Sequence, residues 1–263
     1  GIVLEHANSK YMSSWPSKII KFCCKMTIGG RNPYLNITYK KVINRPDRYS
    51  IYDLENDILQ ELGMKQSVNH REYYILDKYP SNCAIITKHP TIVFCIGSGH
   101  VANEKKYDSF ALSLKSWPTQ NWIDLGNLLV KRHYEVIFIG GTMEEGMIRP
   151  YLNKLDTRIK NFIGKHSIKE SLQVVREADL VVGVDTGLIH GAAIQGTPTL
   201  TLFGCTDYIV EHPFGAHSYI INYSIECSPC LGYDHSYTCT NNKCMQGISV
   251  DLVLDSILQI FER

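Results

Sequence analysis

No stretch of this chain comes near the roughly 20 consecutive apolar residues that a bilayer-spanning helix needs. The best candidate, Ile19-Ile20-Lys21-Phe22-Cys23-Cys24, is short and interrupted by lysine. No transmembrane segment is therefore expected. A basic start followed by an apolar run and a small-residue cleavage site is also missing, so no secretory signal is visible. The chain opens on Gly1 rather than methionine, which weakens any argument from its first residues. An excess of one charge is lacking too: 27 Lys+Arg stand against 26 Asp+Glu, a formal net charge of +1 over 263 residues. That balance creates no global field for nucleic acid or an anionic membrane surface, so an anionic ligand has to be met by a local site.

Two phosphate-binding signatures are absent as well. Gly97-Ser98-Gly99 has no third glycine at the dinucleotide spacing, and no Gly-Lys-Ser/Thr loop occurs. NAD-linked and nucleoside-triphosphatase readings lose their main support. No internal repeat or low-complexity tract is evident. The nine cysteines form no disulfide framework: the count is odd and several lie in apolar, strand-like runs. A reduced, cytoplasmic protein is the expectation.

What is present changes character near residue 80. Before it, apolar residues are sparse, and Asp53 to Gly63 is the one clear helix, with Leu54, Ile58, Leu59 and Leu62 on one face. Acids sit in its first turn and Gly63 stands at the C-cap position. From residue 90, continuous apolar strands alternate with amphipathic helices. Thr91 to Ile96, Glu135 to Ile139, Leu180 to Val184 and Thr199 to Phe203 read as buried strands. Helices are expected from Trp122 to Lys131, from Glu144 to about Lys154 with Pro150 interrupting, and from Ser167 to Glu177 with a capping box. Gly187 to Ala193 starts another, and Val250 to Phe261 closes the chain. Such alternation predicts an α/β fold, a Rossmann-like parallel sheet with helices on both faces.

In an open parallel sheet, ligands bind beyond the carboxyl ends of the strands, near helix N-termini. Four small or glycine-rich segments stand there: Gly97-Ser98-Gly99, Gly140-Gly141-Thr142, Asp185-Thr186-Gly187 and Gly204-Cys205-Thr206-Asp207. The third is the sharpest, because His190 follows one helical turn later. A diphosphate would find backbone N–H groups, the Thr186 hydroxyl and an imidazole. The alternative is that Asp185 and Thr186 only cap the helix while His190 packs in the core. Asp-Thr-Gly is also an aspartic-protease signature. That chemistry needs a second such loop to pair two carboxylates, and the downstream helix-then-strand text does not suit it.

Several segments together resemble glycosyltransferase family 9, the ADP-heptose:lipopolysaccharide heptosyltransferases. In order they are Lys115-Ser116-Trp117-Pro118 with Asn121-Trp122, Gly140-Gly141 with Glu144-Glu145, and Asn161 to Lys165 with Ser167-Ile168-Lys169-Glu170. Then come Ala178 to Val182 running into Asp185-Thr186-Gly187 and His190, then Gly196-Thr197-Pro198-Thr199, Leu202-Phe203-Gly204 and Thr206-Asp207. Cys227-Ser228-Pro229-Cys230, Cys239 and Cys244-Met245 complete the set. The resemblance implies the donor half of a two-domain GT-B enzyme that transfers a heptose or related sugar, with inversion, from a nucleotide-diphosphate donor. An ADP-sugar is the favoured donor, and a glycan or glycolipid is the acceptor. Lys115 would contact the phosphates, balancing charge as the nucleoside diphosphate leaves. Gly141 borders the site, and Glu144 or Glu145 would bind ribose hydroxyls. Asp185, Thr186, Gly187 and His190 would hold the diphosphate and the sugar side of the donor. No cofactor and no nucleic-acid partner is implied.

The departures are specific. The family's first half opens with a strand and a glycine-rich loop ending in the proposed catalytic aspartate, and nothing here matches it. Only about 80 residues precede the donor half, where a full Rossmann domain is expected to need well over about 100. Residues 1–85 are read as a partial, acceptor-side domain. Residues 86–263 are read as the nucleotide-sugar-binding domain, with a cysteine-rich segment 227–244 and a C-terminal helix. His100 to Leu114 is longer than expected before Lys115, and Phe110-Ala111 stands where some relatives place phosphate-binding hydroxyls, with Ser109 or Ser113 as the candidate substitutes. The missing base also leaves open a catalytically inactive member that binds a nucleotide sugar or a partner protein. The spacing of Cys227, Cys230, Cys239 and Cys244 matches a structural zinc or iron site, which would allow a metal-pinned interaction module. His235 blurs the ligand count, and free cysteines with no metal are the reading adopted.

Overall fold

The computed structural model describes residues 28–30, 41–43, 89–97, 114–230, 239 and 241–262. The helix expected at Asp53 to Gly63 lies outside them. Two short strands, β1 (Ile28–Gly30) and β2 (Lys41–Ile43), pair in parallel. The remaining strands form one six-stranded sheet: β3 (Thr91–Cys95), β4 (Glu135–Ile139), β5 (Lys160–Asn161), β6 (Leu180–Val184), β7 (Thr199–Phe203) and β8 (Ser218–Asn222). Their order is β5-β4-β3-β6-β7-β8 and every pairing is parallel. Counting from β3, this is the doubly wound 3-2-1-4-5-6 arrangement, whose strand order reverses between β3 and β6.

The apolar runs are continuous because both faces of the sheet are covered. Ile92 and Phe94 enter one core with α1 (Thr119–Lys131) and α7 (Val250–Phe261). Val93 and Cys95 enter the other, with α3 (Ile168–Arg176) and α4 (Gly187–Ile194). Successive side chains on a strand point to opposite faces, so one run serves two cores. The Ser167 hydroxyl accepts from the Glu170 N–H and the Glu170 carboxylate accepts from the Ser167 N–H, which is the capping box expected for α3.

The helix expected from Glu144 to Lys154 is two pieces instead, α2 (Thr142–Ile148) and a 3-10 turn at Arg149–Lys154. Pro150 is the cause: it has no N–H to continue the ladder, and its ring crowds the preceding turn. Four strands went unforeseen, β1 and β2 among them and two in the six-stranded sheet. β5 has only two residues, and β8 at the far edge is largely half-exposed, so neither writes a buried run. The last two helices, α5 (Tyr208–Glu211) and α6 (Lys243–Gln246), are single turns.

Gly183 shows how tightly the centre is packed. A Cβ there would lie 2.9 Å from both Cys95 Cβ and Ile189 Cγ1, and 3.0 Å from the Cys95 carbonyl oxygen. The glycine lets α4 close onto the β3–β6 junction that carries the site. Gly183→Val is expected to cost about 1–3 kcal/mol through overpacking, read as a lower denaturation midpoint at unchanged slope.

Candidate functional site

At the carboxyl end of β6, the chain turns through Asp185 and Thr186 into α4. Asp185 is almost fully buried, and two basic side chains converge on it. Lys115 Nζ lies 2.8 Å from Asp185 Oδ2, and His190 Nε2 lies 3.2 Å from Oδ1. Lys115 and His190 each keep about a quarter of their side chain exposed, 23% and 25%, against 9% for Asp185. The carboxylate is thus the fixed member, and the cationic amine and the imidazole reach from it toward solvent.

Burial pushes the Asp185 carboxyl up. The His190 hydrogen bond and the charge and hydrogen bond of Lys115 outweigh that, so the group sits below its ordinary value of 3.8. It stays ionised at neutral pH. Because the folded value is depressed, the cluster stabilises the fold above the ordinary carboxylate range. That contribution is lost as pH falls through the depressed value. Asp185→Asn is therefore expected to flatten the acid limb of the melting-temperature profile below about pH 4, as measured by scanning calorimetry.

Thr186 occupies the N-cap of α4 in extended backbone, yet its side chain makes no capping bond. Its hydroxyl oxygen is buried and has no hydrogen-bond partner among the described residues. An unbonded buried hydroxyl is costly, so the position does not serve helix stability alone. Gly187, the first residue of α4, is exposed. The site thus has the free helix N-terminus that favours anions.

Lys115 owes its place to its neighbours. Trp117 is fully buried, its indole N–H donates to the Ile248 carbonyl at 2.9 Å, and its ring meets Trp122 edge-on at 4.8 Å. Asn242 Nδ2 donates to the Ser116 carbonyl at 3.0 Å. The loop before α1 is therefore clamped to the C-terminal segment, two residues from the lysine. Sequence reasoning assigned no role to Trp117, Asn242 or Ile248, because these bonds span more than a hundred residues and the acceptor is a carbonyl that any residue supplies.

The two candidate glutamates separate. Glu144 turns inward, accepting from the Gly141 N–H at 2.8 Å. It packs where a Cβ on Gly97 would come 2.7 Å from its Cδ, so its carboxylate bridges the ends of β3 and β4. Glu145 points outward and pairs with Arg149 at 3.4 Å, both well exposed. Beyond β7, Asp207 caps α5 by accepting from the Ile209 N–H. Ser98, Gly99, Ser109, Phe110, Ala111 and Ser113 fall outside the described residues.

The cysteine segment leans on the same end of β7. The Cys230 N–H donates to the Cys205 carbonyl at 2.8 Å, and the Ser228 hydroxyl donates to the Gly204 carbonyl. The thiols of Cys205, Cys227, Cys230, Cys239 and Cys244 are all free. Burial pushes the Cys230 thiol up to about 11, with the neighbouring Cys244, Cys239 and Cys227 adding to the rise. Among the described residues no group of three or more His, Cys, Asp or Glu side chains is placed to hold a metal ion.

A doubly wound parallel sheet with the Lys115–Asp185–His190 cluster and a helix N-terminus at its switch point defines a Rossmann-like α/β fold. More narrowly, the chain belongs to glycosyltransferase family 9 (heptosyltransferase), whose family model matches residues 50–241. It is similar to lipooligosaccharide heptosyltransferase 2 of Campylobacter jejuni, 23% identical over 154 residues, covering 56% of this chain and 48% of that one. The chain spans about half the length of that curated relative. Among solved structures it is similar to a family 9 glycosyl transferase from Veillonella parvula, with a TM-score of 0.66 and 19% identity, covering 92% of this chain and 69% of that one. It is also similar to E. coli heptosyltransferase WaaC with ADP, at TM-score 0.60 and 18% identity, covering 89% of this chain and 66% of that one. At those identities the likeness to the solved structures is one of fold.

Proposed function

We propose that this chain binds a nucleotide-diphosphate sugar at the β3–β6 switch point and serves transfer of that sugar, a heptose or a close relative, to a glycan or glycolipid of the lipopolysaccharide type. The observation that carries the reading is the convergence of Lys115 and His190 on Asp185 beside the N-terminus of α4. Lys115 supplies positive charge to the departing diphosphate, and backbone N–H groups at Gly187 add donors. Asp185 is engaged by both basic partners, so its role is to aim them. Residues 86–263 make the donor unit and residues 1–85 part of the acceptor side. Adenine is the favoured base, supported by the fold neighbour E. coli heptosyltransferase WaaC, solved with ADP. The acceptor hydroxyl attacks from the face opposite the leaving diphosphate, which inverts the anomeric carbon. Relatives named lipopolysaccharide heptosyltransferase support an acceptor of the lipopolysaccharide type.

Thr186→Val separates this site from a purely structural cap. Valine keeps the shape and removes the unpartnered hydroxyl. The fold is expected to stay equally stable or to gain up to about 1 kcal/mol, while calorimetric affinity for ADP falls several-fold. Titration of the intact chain with ADP, UDP and GDP tests the reading itself, one of them being expected to bind well above the others. No binding by any of the three would sink it. Binding without sugar transfer to a lipopolysaccharide acceptor would move the inactive, nucleotide-sugar-binding alternative ahead.

A further inference from the structure

Charge is balanced over the whole chain but not along it. Between Gly146 and Lys169 lie Arg149, Lys154, Arg158, Lys160, Lys165 and Lys169, against the single acid Asp156. All six basic residues are exposed. This segment forms the β5 edge of the sheet: the end of α2, the 3-10 turn, β5 itself and the start of α3. Acids do reach it. Glu145 pairs with Arg149, Asp156 with Arg158 and Glu135 with Lys160, and Glu170 stands exposed beside Lys169 in the first turn of α3. Lys154 instead bonds the Gln120 side-chain oxygen and lies over the Tyr151 ring, and Lys165 bonds the Asn161 carbonyl, so those charges meet neutral partners.

The same edge carries apolar side chains that the fold leaves in water. Met143 is 59% exposed, Met147 37%, Leu152 47% and Ile168 77%, and these are four of the seven large apolar side chains exposed among the described residues. Met143 and Ile168 stand at the N-terminal ends of α2 and α3, beyond the carboxyl ends of β4 and β5. That is the side of the sheet where Lys115 meets Asp185.

We propose that the β5 edge, with α2, the 3-10 turn and the start of α3, is a docking surface for an anionic lipid bilayer. Charge complementarity selects the anion, and the interleaved aliphatic side chains select a bilayer over a polyphosphate chain. Methionine, leucine and isoleucine gain by entering the headgroup–acyl boundary while lysine and arginine stay with the headgroups. No helix of the described residues is long and apolar enough to cross a membrane. The association is peripheral, carried by a few basic residues that each raise partitioning about fivefold. The surface is screened by salt and acts over roughly 10 Å. Docking by this edge brings the carboxyl-end cleft close to the lipid surface. The inference does not rest on the sugar-transfer reading, and vesicle binding can be measured without any donor.

The test is flotation of the full chain with vesicles of phosphatidylcholine mixed with phosphatidylglycerol, against vesicles of phosphatidylcholine alone. The chain is expected to float with the anionic vesicles and to be released at about 1 M salt, where the screening length shrinks to ~3 Å. Lys154→Glu with Lys165→Glu should lower partitioning about 100-fold or more. Met143→Ser with Ile168→Ser should lower it about tenfold, with the melting curve unchanged. Lys243→Glu, exposed next to β7 on the other half of the sheet, should change nothing. The proposal is overturned if the intact chain ignores anionic vesicles, if it binds neutral vesicles equally, or if it binds single-stranded RNA but not lipid. Retention of binding by the folded Lys154→Glu/Lys165→Glu chain would overturn it as well.

Discussion

Replacing Lys115 by alanine is expected to weaken nucleoside diphosphate binding about 1,000-fold, the sum of two effects with the same sign. A charge-assisted contact to phosphate worth roughly 1.5–3 kcal/mol is lost. The Asp185 carboxylate, now without the amine 2.8 Å from it, also turns its charge on the incoming anion, which adds about 1–2 kcal/mol at the effective dielectric of a part-buried site. The second effect gives the prediction its signature. If Lys115 acts on the ligand partly by masking Asp185, then adding Asp185→Asn to Lys115→Ala should restore about tenfold of the affinity. A double-mutant cycle by calorimetry reads this directly. A surface lysine with no part in binding would give neither the loss nor the rescue.

Trp117→Ala should produce the largest loss of stability. The side chain is fully buried against Trp122, and removing a buried tryptophan costs about 3–5 kcal/mol. For a body of this size that is a fall of about 10 °C in melting temperature. The change also orphans the Ile248 carbonyl, which the indole N–H now satisfies at 2.9 Å. Because Trp117 is two residues from Lys115, the damage should not stop at stability. Nucleotide affinity, measured well below the new melting point, should fall as the lysine's loop comes off the C-terminal segment. Leu129→Ala offers the comparison. Leu129 is equally buried but lies twelve residues further on, near the end of α1 and away from the loop. It should cost about 2–5 kcal/mol and leave affinity unchanged.

How much of this was legible beforehand divides by physical cause. The four buried strands and the helices from Trp122, Ser167, Gly187 and Val250 were readable because burial on both faces writes a continuous apolar run and caps write a fixed spacing. Two-residue β5 and half-exposed β8 write neither. Asp185, Thr186 and His190 were readable as a group because a strand end, a glycine and a one-turn spacing place them on one side of a helix start. Lys115 joined that group only through the family resemblance, and its direct pairing with Asp185 was not readable, since 70 residues separate them and only the folded topology joins the two loops. The choice between Glu144 and Glu145 was likewise closed to sequence. Adjacent helix positions differ by about 100° of rotation, and only the fold shows that Glu144 turns toward Gly97 while Glu145 meets Arg149. The basic run from Arg149 to Lys169 stands in one stretch of the sequence, though a whole-chain balance of 27 against 26 hides it; what the fold adds is that this stretch forms one exposed edge of the sheet.

The central claim is that a nucleoside diphosphate sits beyond the carboxyl ends of β3 and β6. Its most direct test is a crystal structure of the chain grown with ADP. The account predicts diphosphate density at the N-terminus of α4, with a phosphate oxygen about 3 Å from Lys115 Nζ and another within reach of the Gly187 N–H. Nucleotide bound at the amino ends of the strands, or on the cysteine segment with Lys115 still turned only to Asp185, would contradict it.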